Sequence, residues 1–84
     1  MKNSPLSNSD DIEATVIKVI AGIAGCDPDT LGRETRFRTD LGLDSLGLYE
    51  LVIDMEEVFA LQISDEDVDR FYTIGDVLTY LKHH

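Results

Sequence analysis

The residue of this chain whose type and setting most invite chemistry is a serine. In the run DLGLDSLGLYELVIDMEEVF, residues 40–59, Ser45 stands between Asp44 and Leu46 among six carboxylates and no basic side chain. A serine acts as a nucleophile only with a base within hydrogen-bonding reach. The two histidines, His83 and His84, close the sequence and could equally begin a purification tag, so neither is expected to supply that base. Self-contained hydrolysis is therefore not expected, and the hydroxyl reads as a group acted upon by another protein. Two uses fit the position. Ser45 can itself cap the helix that follows, a common role of serine. Alternatively Asp44 caps, and the hydroxyl then sits where unpaired first-turn N–H groups and the helix dipole favour a phosphate ester.

Two other sets of residues have recognisable spacing. Asp65, Asp67, Asp69 and Asp76 occupy the first, third, fifth and twelfth positions of a calcium-binding loop. Arg70 then stands at the sixth position, where the turn requires glycine, and an aspartate replaces the bidentate glutamate at the end, so no specific metal site is expected. Cys26 is the single cysteine, which excludes an internal disulfide, and its place after AGIAG suits a small structural residue.

These side chains must be positioned by a small scaffold. The 84 residues fit one domain, residues 1–84, with a polar extension over 1–9 and a tail over 82–84. With 43% apolar and 29% charged residues, the chain has the composition of an ordinary globular domain. Its 17 acidic and 7 basic residues leave a net charge of -10, which argues against nucleic acid and anionic membrane as partners and for basic protein surfaces. No apolar run approaches the roughly 20 residues that cross a bilayer, and MKNSPLSNSDD lacks the core of a secretory signal, so a cytoplasmic monomer is expected.

Periodicity predicts an all-α fold. Ile12, Val16, Val19, Ile20 and Ile23 share one side of a first helix that ends near Gly25, with Asp10 and Glu13 spaced for reciprocal capping. Helical spacing lapses through CDPDTLGRETRFRTDLGL, a long loop anchored by Leu31, Phe37 and Leu41 that is expected either to have a function or to hide a helical turn. It returns from Asp44 to Phe59. One or two turns follow in SDEDVDRFYT, and Thr73 and Asp76 frame a last helix that buries Ile74, Val77, Leu78 and Leu81. The result is a small four-helix bundle with a long first loop and a short third helix.

The second helix has two apolar faces. At about 100° per residue, Leu48, Leu51, Val52, Met55 and Phe59 gather on one side as the core face. Leu46, Tyr49 and Ile53 lie opposite, interspersed with Glu50, Glu56 and Glu57. Either those three pack beneath a neighbouring element, or they form a docking surface in which apolar anchors supply affinity and acids supply steering.

The run DLGLDSLGLYELVIDMEEVF, with the elements in the order just described over residues 10–81, resembles the attachment-site motif of acyl carrier proteins. The resemblance implies a discrete, non-catalytic carrier with 4′-phosphopantetheine joined to Ser45 by a phosphopantetheinyl transferase that uses coenzyme A and a divalent metal ion. It implies acyl thioesters on the arm, in fatty-acid or polyketide type biosynthesis, with a peptidyl or aminoacyl carrier as the alternative. An unmodified acidic interaction module is the remaining reading. By the same resemblance Asp44 is the acid beside the attachment serine, and Leu46, Tyr49, Glu50, Ile53, Glu56 and Glu57 face acyl-transferring, ketosynthase or ligase-type partners with basic surfaces. Phe37 and Ile63 match positions lining an acyl pocket. Gly47 replaces an acid common in fatty-acid carriers, and Tyr49 is bulkier than the usual aliphatic residue, both of which imply altered partner choice.

Overall fold

The computed structural model describes the backbone of residues 9–83 and the side chains of 11–83. Residues 1–8 of the expected extension, the side chain of Asp10, which is expected to cap the first helix, and His84 lie outside the described residues. Four helices follow in order: α1 (Ser9–Ala24), α2 (Ser45–Phe59), α3 (Asp65–Val68) and α4 (Ile74–Lys82), with a 3₁₀ turn at Pro28–Thr30 inside the long loop. The fold is the helical bundle that the periodicity predicts, and the loop does hide a helical turn.

Each helix end has a local cause. Gly25 leaves α1 at φ 73°, a left-handed conformation that its missing Cβ permits. Asp44 caps α2, Ser64 caps α3, and Thr73 with Asp76 forms a complete capping box on α4. Asp76 Oδ2 also accepts from the Tyr72 N–H at 2.9 Å, so one carboxylate fixes the whole corner before α4.

α1 packs on both α2 and α4, and α3 rests against α2. Val16 and Ile20 from α1, Leu51 and Met55 from α2, and Ile74, Val77 and Leu78 from α4 are fully buried, and Phe37 enters the same core from the loop. Leu31 and Leu41 pack at its edge. Phe59 is half-buried, so the core face of α2 loosens at its last turn.

Backbone pairing holds the long loop against α4. The Arg33 and Thr35 carbonyls accept from Gly75 and Ile74 at 2.9 and 3.0 Å, which satisfies first-turn donors of α4 that have no partner inside the helix. A Cβ on Gly75 would lie 3.0 Å from the Arg33 carbonyl oxygen, so the loop can approach that closely only at a glycine. Arg36 and Thr73 form a single antiparallel bridge, and the Phe37 N–H donates to the Tyr72 carbonyl at 3.0 Å.

Candidate functional site

The segment leading to Ser45 is a closed turn. Asp40 Oδ2 accepts from the Arg36 N–H at 2.8 Å, Leu43 donates to the Phe37 carbonyl at 2.9 Å, and Gly42 donates to the Arg38 carbonyl at 3.1 Å. Gly42 takes φ 67°, which reverses the chain into α2. Asp44, Ser45 and Arg38 are therefore held by one network of backbone bonds.

Asp44 is the N-cap. Its Oδ1 accepts from the Gly47 N–H at 2.9 Å, and its carbonyl accepts from Leu48 at 3.0 Å. Ser45 is the first residue of the helix, exposed, and its hydroxyl is not engaged as a cap. Capping therefore falls to the aspartate, and the serine oxygen remains accessible. A Cβ added at Gly47, the third helical position, would meet Leu43 and Asp44, with Leu43 Cδ2 nearest at 3.2 Å.

A cleft of about 570 Å³ opens beside Ser45, between the 36–39 turn, the start of α2 and the segment after α3. Leu48, Val68 and Phe71 form its apolar wall, with Tyr49 and Tyr72 at the sides. Arg36 and Arg38 line it as well, and Asp69 is the acid among the described residues around it. Arg38 Nη2 donates to Ser45 Oγ at 3.2 Å.

Phe37 and Ile63, which the resemblance matches to an acyl pocket, are 1% and 7% exposed and belong to the core; they are not among the residues lining this cleft. Phe37 is turned inward because its N–H is tied to Tyr72 and its carbonyl to Leu43. Glu56 is half-buried, and its Oε2 accepts from the Ile63 N–H at 2.8 Å. The same bond holds the chain after α2, where Ala60 adopts the left-handed conformation at φ 55° despite its Cβ.

The other residues of that face are presented to solvent. Leu46 is 71% exposed and Ile53 55%, so no neighbouring element of the described chain covers them, while Tyr49, 37% exposed, stands between this face and the cleft. Glu50 and Glu57 are exposed beside them. Among the described residues the packing alternative for this face is thereby removed, which leaves an uncovered apolar strip with acids along it.

The calcium-like spacing falls on a helix rather than a loop, since Asp65 to Val68 is α3 and Asp76 is committed to the capping box. Among the described residues no group of three or more His, Cys, Asp or Glu could hold a metal ion. Cys26 is free and half-buried, with its N–H bonded to the Ala21 carbonyl. No helix among the described residues is long and apolar enough to cross a membrane.

Sequence reasoning missed Arg38 and the cleft. A signal was present, because Arg33, Arg36 and Arg38 place three of the seven basic residues in the loop just ahead of Ser45. Their proximity to the serine depends on the turn closing through Asp40 and Gly42, which no periodicity reports.

Comparison with known proteins agrees with this geometry. Residues 14–81 match the family model of the phosphopantetheine attachment site. The chain is 37% identical over 79 residues to an acyl carrier protein of Rickettsia bellii, a match covering 94% of this chain and 92% of that protein. Its structure is similar to one described as an acyl carrier protein from Mycobacterium tuberculosis, with a TM-score of 0.80 at 30% identity over 86% of this chain and 96% of the other.

Proposed function

The chain belongs to the acyl carrier protein family, a carrier that works through phosphopantetheine, and from that premise we propose that Ser45 is the point at which the arm is attached. The observation that carries this reading is the exposed Ser45 hydroxyl at the first position of α2, left accessible because Asp44 caps the helix. Two features of the surroundings fit the group. The Arg38 guanidinium beside the hydroxyl is complementary to a phosphodiester, and the adjoining cleft has room and an apolar wall for a flexible arm.

When attached, the arm supplies a thiol that bears acyl groups as thioesters. Ser45 contributes only its oxygen to the phosphodiester linkage. The cleft around it is lined by no histidine or lysine, and the Asp44 carboxylate is engaged with Gly47. We assign the base that takes the serine proton to a separate phosphopantetheinyl transferase: Ser45 Oγ bonds the phosphorus that bears the pantetheine arm of coenzyme A as the pyrophosphate bond breaks, and adenosine 3′,5′-bisphosphate leaves.

Leu46, Tyr49 and Ile53, flanked by Glu50 and Glu57, form the surface that meets partner enzymes with basic docking patches. The acids speed encounter and orient the partner, and the apolar residues hold it. We assign the carrier to fatty-acid or polyketide type biosynthesis in the cytoplasm, supported by its acidity and its likeness to the Rickettsia bellii acyl carrier protein.

The test is intact mass after incubation with coenzyme A, magnesium and a broad-specificity transferase, starting from protein shown to be unmodified. The parent is expected to gain about 340 Da, the mass of the arm, and Ser45→Ala to gain nothing. No gain on the folded parent, or a gain on both, overturns the assignment of Ser45.

A further inference from the structure

The chain carries a net charge of -10, and the ion pair found among the described residues joins Arg33 to Glu13 at 3.1 Å; Arg36, Arg38 and Arg70 have no part in it. Of these, Arg38 donates to the hydroxyl of Ser45 at 3.2 Å.

The start of α2 does not by itself offer an anion much. The N–H groups of Gly47 and Leu48 are both bonded to Asp44, and the Asp44 carboxylate already places a negative charge at the positive end of the helix dipole. A phosphodiester on Ser45 would therefore lie beside a like charge, with two of the first-turn donors occupied. The cation that offsets this is Arg38, whose position is fixed by the turn closed through Asp40 and Gly42.

We propose that Arg38 is a positioning residue for the arm: its guanidinium binds the phosphodiester on Ser45 and turns the arm over the cleft walled by Leu48, Val68, Phe71 and Tyr72. This rests on the assignment of Ser45 as the attachment point. The phosphoryl oxygens are bonded to a phosphorus that is itself bonded to Ser45 Oγ, so a guanidinium already touching Oγ reaches them by side-chain rotation alone. Two parallel N–H donors suit an oxyanion pair, which lysine cannot match with a single point charge. Because Arg38 is exposed, the effect is modest, about threefold in the population of the arm lying over the cleft, in line with exposed ion pairs. A partner enzyme then draws the arm out against one ion pair.

The test uses the full-length holo protein, with loading of every sample verified by intact mass. In the parent, the Arg38 side-chain N–H resonances and the phosphorus resonance are recorded before and after loading, at low and at high salt. Nuclear Overhauser contacts between the arm and Val68 or Tyr72 report where it lies. Loading is expected to move the Arg38 resonances, and high salt to return the phosphorus resonance toward that of free phosphopantetheine. Arg38→Gln should weaken the contacts to the cleft about threefold, Arg38→Lys should restore part of them, and Lys18→Gln, which removes an equal charge on α1, should leave them unchanged. An Arg38 resonance that ignores loading overturns the proposal without need of any variant, as do contacts equal in Arg38→Gln and parent. In both of those results the mass gain stands and so does Ser45 as attachment point; a parent that takes no arm overturns both.

Discussion

Replacing Asp44 separates two duties that coincide at one side chain. Its Oδ1 caps α2 through the Gly47 N–H at 2.9 Å, and its charge lies next to Ser45, the proposed attachment point. Removing an N-cap costs about 1 kcal/mol, within a range of roughly 0.5–2. Loss of a carboxylate from the positive end of an exposed helix adds about 0.3–0.5 kcal/mol. Asp44→Ala should therefore cost about 1–2 kcal/mol, which for a domain of this size lowers the melting temperature by roughly 5–15 °C. Asparagine caps as well as aspartate, so Asp44→Asn should lose only the charge contribution and melt within about 4 °C of the parent. Ser45→Ala, lacking any capping role, should stay within about 0.5 kcal/mol of the parent. Thermal melts by far-ultraviolet circular dichroism measure all three, and the rate of mass gain with transferase measures the second duty. If Asp44→Asn melts like the parent but loads slowly, the transferase reads the charge; if it loads normally, Asp44 acts through helix geometry. The reasoning fails if Asp44→Ala melts with the parent while Ser45→Ala does not, because the cap would then be the serine.

Glu56 and Tyr80 carry further predictions. Glu56→Ala should orphan the Ile63 N–H and cost about 1–3 kcal/mol in denaturant titrations, whereas Glu50→Gln and Glu57→Gln, both at exposed sites, should leave stability within about 0.5 kcal/mol and instead weaken the salt dependence of binding to a partner. Equal stability loss at all three positions would refute that division. Burial raises the Tyr80 phenol above its ordinary 10.0, aided by its hydrogen bond to Asp67 and by the charges of Asp67 and Glu56. Because the folded state holds this proton more tightly than the unfolded chain, the associated stability is full below pH 10.0 and is lost as pH rises through the folded value. Alkaline unfolding followed by circular dichroism should show that loss in the parent, and Tyr80→Phe should remove it.

What could be read from the sequence follows the reach of local rules. Helical period sorted Leu48, Leu51, Val52 and Met55 from Leu46, Tyr49 and Ile53 correctly, because a helix fixes direction residue by residue and only one of its sides met the core. Thr73 and Asp76 were legible as a capping box for the same reason, since all the atoms involved lie within one turn. The bond from the Ile63 N–H to Glu56 was not legible, because that N–H is presented only after the chain reverses at Ala60 in a conformation that alanine does not advertise. Phe37 was legible as an anchor, but its tie to Tyr72, a residue far along the chain, was not. The arginine beside Ser45 escaped notice on similar grounds, as aperiodic loops carry no angular signal.

The placement of charge gives these features a common physical logic. Arg36 and Arg38 line the cleft at the start of α2, while Glu50 and Glu57 stand exposed farther along the same helix. At 1.5 Å per residue, Glu57 lies roughly 18 Å along the axis from Ser45 and Glu50 roughly 7 Å. The screening length at physiological salt is about 8 Å. Arg38 is thus nearly independent of Glu57 and only moderately affected by Glu50, and the acids at its site are Asp44, next to Ser45, and Asp69, which lines the cleft. On the proposed reading, a basic partner surface is attracted to the acids in the far part of the helix. The uncovered strip of Leu46, Tyr49 and Ile53 spans the distance between those two charge patches. On the proposed reading, a partner seated on this strip by its contacts with the acids reaches toward Ser45, and the arm held by Arg38 is released as the partner's own contacts outcompete one exposed ion pair.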